Sequence, residues 1–149
     1  MSSKIPVMSA RERTPLDPSI TPEQINLLVE SFYGRVRQHE TLGPIFLKEM
    51  GEDWGPHLHK MKHFWASVLL KTGSYKGKPV PAHAKITGVT TENFHEWMDL
   101  FEEEVHAIFS QEAAPLLLAT AQRIAQSLWL AMFADPFATP PAKFGTRAA

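Results

Sequence analysis

"HLHKMKHFW", residues 57–65, sets three histidines beside a Phe-Trp pair. Read as a helix of about 100° per residue, the stretch sorts itself. His57 shares one face with Met61, Phe64, Trp65 and Val68, whereas His59 and His63 fall on the far side with Lys60 and Lys62. The three imidazoles therefore cannot converge on one metal ion while the stretch stays helical. His59 and His63, four residues apart, could pinch an adventitious cation. No Glu follows His59 to make His-Glu-x-x-His, and a solvated face is the simpler reading. His57 is different, an imidazole among large apolar side chains. It is either a core histidine satisfied by a backbone carbonyl or a functional group.

The segments around it are also helical in pattern. "ITPEQI" at 20–25 offers Thr21 as N-cap, Pro22 at the first helical position and Gln24 to complete a capping box. Ile25, Leu28, Val29, Phe32, Tyr33 and Val36 then recur on one face. "TLGP" at 41–44 is expected to break that helix, with a short apolar turn, "IFLKEM", after it. The His57 helix is expected from Trp54–Pro56 to about Lys71. "TGSYKGKPVPAH" reads as a loop with a turn of helix near His83. A further helix begins at Thr90 or Thr91 and carries Phe94, Trp97, Met98, Phe101, Val105 and Ile108. The last begins around Gln111–Pro115 and runs to Phe133, where Asp135-Pro136 stops it. The expectation is an all-α domain over residues 20–133, with an irregular arm at 1–19 and a Pro/Ala-rich extended tail at 134–149.

Composition narrows the chemistry. A chain of 149 residues with a net charge of −1 offers no basic footprint for nucleic acid or an anionic membrane. No apolar run approaches the ~20 residues that span a bilayer, and the first residues do not form a signal peptide, so a cytoplasmic protein is expected. Cysteine is absent. That excludes disulfides, thiolate zinc sites, a cysteine nucleophile and covalent c-type haem attachment. Histidine becomes the natural ligand.

His83 changes the weight of His57. "KPVPAHAKI" holds an imidazole in a proline-stiffened segment, and a coordinating histidine benefits from a restrained backbone. One stiffly held His, one His on an apolar helix face, the Phe32-Tyr33 pair and Trp97 together supply an apolar slot, one axial ligand and several polar groups. Non-covalently bound haem needs that set.

"SFYGRVR" at 31–37, "LGPIF" at 42–46, "DWGPHLHKMKHFW" at 53–65, "YKGKPVPAH" at 75–83 and "FHEWMDLF" at 94–101, in that order, resemble the group III truncated haemoglobins. The likeness covers roughly residues 20–133; the arm and tail have no counterpart in the family's core pattern. It implies a globin-like, truncated 2-over-2 helical sandwich around haem b. It further implies His83 as the proximal iron ligand, with Tyr33, His57 and Trp97 on the distal side. Phe32 would neighbour Tyr33, and Met61, Phe64 and Trp65 would line the pocket. Lys76, Lys78 and Lys85 are candidate partners for the haem propionates. Trp54 and Trp129 read as structural, and His39, His95 and His106 receive no role.

The function expected from this resemblance is reversible binding of O2 and other diatomic ligands such as NO and CO. NO-detoxifying or peroxide chemistry would need an external electron donor. A gas or redox sensor acting through a partner is the alternative. A haem-free helical interaction protein, with Tyr33 and Trp97 as plain packing residues, is the more distant one.

Overall fold

The computed structural model describes residues 14–73, 75, 77–133 and 139–145. Within them are six helices and no strand: α1 (Pro22–Gln38), α2 (Leu42–Met50), α3 (Gly55–Leu69), α4 (Pro79–Ala84), α5 (Thr91–Ile108) and α6 (Ala113–Phe133). None of these helices is long and apolar enough to cross a membrane. Lys76, most of the expected N-terminal arm, and residues 134–138 and 146–149 of the expected tail lie outside the described residues.

The helix starts follow side-chain chemistry. Thr21 and Gln24 form the expected capping box on α1, with Pro22 in the first turn. Gln24 also donates to the Ile108 carbonyl at 3.2 Å, which fixes the start of α1 to the end of α5. Thr90 and Asn93 cap α5 in the same reciprocal way. The expected break is there, with α1 ending at Gln38, but the short apolar turn expected after it is a nine-residue helix that already opens at Leu42. Pro44 falls in the first turn of α2, where its missing N–H costs nothing. His39 accepts the N–H groups of Thr41 and Leu42 on Nδ1, each at 3.2 Å, and so caps the new helix.

α1 packs on α2, α3 and α5, and α6 packs on α5 and α4. The α1–α3 pair lies over the α5–α6 pair, a truncated globin-like 2-over-2 sandwich. Its seam is filled by fully buried Leu28, Phe32 and Val36 of α1, Phe101 and Val105 of α5, and Leu117 of α6. Gly43 lets the start of α2 lie on the end of α1, since a Cβ there would stand 2.6 Å from the Arg37 carbonyl oxygen. Arg35 pairs with Glu103 and Glu104 at 2.7 and 3.0 Å on the outside of the α1–α5 contact.

Two segments placed outside the domain by sequence are seated on it. Leu16 donates its N–H to the Leu69 carbonyl at 2.8 Å and packs against the core. Residues 139–145, read as part of an extended tail, lie on α5 and α6 and bury Phe144 completely.

Candidate functional site

Between the two helix pairs is a cavity of about 300 Å³, at the small end of the range for ligand pockets. α1 contributes Tyr33, α3 contributes His57, Met61, Phe64 and Trp65, α4 contributes His83, and α5 contributes Trp97. The wheel drawn on "HLHKMKHFW" therefore holds. His59 and His63 do not line the cavity; their rings meet edge-on outside it, centroids 4.6 Å apart. Among the described residues no group of three His, Asp or Glu side chains is placed to hold a metal ion.

His83 is aimed by its own helix. Its Nδ1 lies 2.6 Å from the Pro79 carbonyl oxygen, one turn back. A carbonyl only accepts, so the proton sits on Nδ1 and Nε2 keeps the lone pair, the tautomer a metal-ligating imidazole needs.

Tyr33 and His57 meet edge-on with ring centroids 5.1 Å apart. Burial pushes the Tyr33 hydroxyl well above the ordinary tyrosine range, so it keeps its proton at any physiological pH and can donate. Burial, with smaller contributions from His83 and Lys60, pulls the His57 imidazole down to about 4. It is neutral at pH 7. Its Nε2 is buried with no hydrogen-bond partner among the described residues, which is unusual enough in a native core to point to a ligand.

Trp97 is held by aromatic packing. It stacks on Phe101 at 5.0 Å with planes 10° apart, and Phe32 meets it edge-on at 4.9 Å. Phe101 also stacks on Trp65 at 5.1 Å. Phe32 is not on the cavity surface. It is 1% exposed and lies behind the wall, touching Tyr33, Trp97 and Phe101.

No family model matches the chain. Over 110 residues, covering 72% of this chain and 87% of the relative, it is 38% identical to the Group 3 truncated hemoglobin ctb of Campylobacter jejuni. The chain belongs to the group 3 truncated haemoglobins. The crystal structure of group III truncated hemoglobin from the same organism agrees, with a TM-score of 0.73 at 33% identity. That match covers 82% of this chain and 97% of the other. As a truncated haemoglobin, this chain is a globin-type haem protein.

Sequence reasoning missed much of the truncated haemoglobin's cavity wall. Leu42, Ile45, Phe46 and Met50 of α2 line it, as do Ile86 and Val89 after α4. Ile124, Leu128 and Met132 form a row along α6 that is only half-buried because it faces the cavity. Their spacing was readable as an apolar stripe, but a stripe facing a core and one facing a cavity look alike in sequence. Lys78 and Lys85 are exposed and neither lines the cavity. Trp54 and Trp129 have structural partners: their indole N–H groups donate to the Gly51 carbonyl at 2.8 Å and to Thr91 Oγ1 at 2.9 Å.

Proposed function

We propose that this truncated haemoglobin binds haem b in the 300 Å³ cavity, with His83 as the iron's protein ligand, and retains O2 and other diatomic gases beside Tyr33, His57 and Trp97. The observation that carries the reading is the pairing, on one apolar cavity, of a histidine with its Nδ1 proton already committed and a second histidine whose Nε2 is buried without a partner. The donor set fits haem: an imidazole lone pair on Nε2, flat aromatic walls, and no cysteine for covalent attachment. Held by His83, haem would supply the iron chemistry for binding O2, NO or CO.

The chain's own residues then set what happens there. His83 is held in one tautomer by Pro79, so it presents the same nitrogen throughout. Tyr33 donates its hydroxyl proton to a polarised ligand, and the Trp97 indole N–H is a second donor. His57, neutral at pH 7, can accept or donate through Nε2. Phe46, Phe64 and the α6 row exclude water, which strengthens each of these hydrogen bonds. Two donors favour slow release over delivery. That suits turnover of NO or peroxide with electrons from an external donor.

An absorption spectrum of the protein with equimolar haem, ferric and then reduced under CO, tests the reading in wild type and His83→Ala. A sharp Soret band that shifts under CO and weakens or changes in the variant is expected. Free-haem spectra in both proteins would overturn it. For turnover, the measurement is how fast the oxygenated form returns after exposure to NO or peroxide with a reductant present. No return would leave a binder without redox activity.

A further inference from the structure

We infer that residues 139–145 form a strap whose docking between α5 and α6 positions the wall of the cavity, with Phe144 as its anchor. The inference rests on the haem-binding reading above. α5 and α6 each present two faces at this place. Phe94 and Trp97 of α5, with Ile124 and Leu128 of α6, line the cavity. His95 and Met98 of α5, with Gln122 and Gln126 of α6, meet the strap.

The strap is read group by group. Gln122 takes both backbone groups of Phe144: its Nε2 donates to the carbonyl at 2.6 Å and its Oε1 accepts the N–H at 2.8 Å. Gln126 Nε2 donates to the carbonyls of Pro141 and Ala142 at 3.2 and 2.7 Å. On the other helix, His95 Nδ1 accepts the Gly145 N–H at 3.1 Å. The segment therefore bridges α5 and α6.

Its side chains fit as closely. Phe144 is 0% exposed, with its ring 5.3 Å from Phe94 and 5.2 Å from His95. Gly145 has φ +82, and a Cβ on it would stand 2.9 Å from the Met98 Cβ. Only a residue without a Cβ lies there unstrained. Thus "Phe-Gly" is read as a pair, aromatic anchor and then flat contact.

Phe94 links the strap to the cavity. It lines the cavity and also packs on Phe144. Interiors are close-packed and relax only partly around a hole, so losing Phe144 takes from Phe94 the nearer of two aromatic neighbours and leaves Phe133, at 6.3 Å, as the other. A pocket wall backed this way holds a flat ligand in one pose; an unbacked one lets it tilt and leave.

The test uses the full haem-loaded chain as wild type, Phe144→Ala, Phe144→Leu, the Gln122→Ala/Gln126→Ala pair, and Val105→Ala as a buried α5 control away from the cavity lining. Three quantities are measured: haem transfer to an excess of scavenging apoglobin, Soret circular dichroism, and the denaturant midpoint. Phe144→Ala and the glutamine pair are expected to release haem at least about tenfold faster, about 1.4 kcal/mol, with altered Soret dichroism. Phe144→Leu should recover most of both. Val105→Ala should lose stability while keeping the wild-type Soret dichroism. If haem release and dichroism in the strap variants match wild type, or follow stability as Val105→Ala does, the strap only stabilises the fold and the inference falls while the haem reading stands. Should Phe144→Ala fail to fold, Phe144→Leu and the glutamine pair decide by the same criteria. A wild-type chain that takes up no haem removes both.

Discussion

His57 stands edge-on to Tyr33, ring centroids 5.1 Å apart and planes at 88°, with its Nε2 buried and unpaired. The two groups carry opposite consequences of the same burial. The phenol is locked in its donor form and the imidazole in its neutral form.

Tyr33→Phe removes the donor and keeps the ring. A hydrogen bond to a polarised acceptor is worth about 1.5–3 kcal/mol, so O2 dissociation should accelerate by about 10- to 150-fold. Stopped-flow displacement of O2 by CO reads this directly. CO, a weakly polarised ligand, should respond much less, and equal effects on both gases would mean that Tyr33 acts by shape alone.

The His57 imidazole gives a pH dependence of defined sign. Its folded value, about 4, lies below the ordinary histidine value of about 6.5, so the unfolded chain binds more protons between the two. Stability from this group is fully present above about pH 6.5 and is lost as the pH falls toward 4. The slope is at most about 1.4 kcal/mol per pH unit, and less because the ring is partly exposed. Urea titrations of wild type and His57→Leu at pH 7, 6, 5 and 4.5 should show a shallower loss in the variant. Parallel curves would remove His57 from the acid response.

Phe101→Ala should cost about 3–5 kcal/mol, since a fully buried aromatic is deleted. Beyond stability, it should disturb the cavity, because Trp97 and Trp65 both stack on this ring. Near-ultraviolet dichroism of the tryptophans together with the urea midpoint separates the two effects. A stability loss with unchanged tryptophan signals would make Phe101 a filler and not a brace.

Gly43→Ala introduces one methyl group against the Arg37 carbonyl. Overpacking of this kind costs about 1–3 kcal/mol. The thermal midpoint should drop, whereas Gly34→Ala, whose Cβ meets nothing within 4 Å, should leave it unchanged or raise it.

The helices were legible because their signals are local. Thr21-Pro22-x-Gln24 announces α1, and the stripe from Phe94 to Ile108 announces α5. Two omissions have local causes as well. Pro44, read only as ending α1, also stands in the first turn of α2, and His39, given no role, has its ring on the N–H groups that α2 leaves unpaired. The cavity residues on α3 were legible from one wheel, whereas those on α2 and α6 depend on how helices distant in sequence lean together. Phe32 was grouped with Tyr33 by adjacency, yet neighbouring positions on a helix point about 100° apart, and only Tyr33 reaches the cavity. Phe144 gave no periodic signal at all. A single aromatic among prolines and alanines has no face until another element supplies its seat.

His83 and the oxygen that orients it belong to the same turn of a six-residue helix. The imidazole and its orienting group therefore travel together. If α4 slides or tilts over α6, the imidazole is displaced without changing which nitrogen it offers. Distance to whatever it binds can be adjusted mechanically while the proton stays where it is. A histidine oriented by a residue on another helix would lose its aim with the same displacement. In this molecule, where α4 sits and which nitrogen its imidazole offers are separate variables.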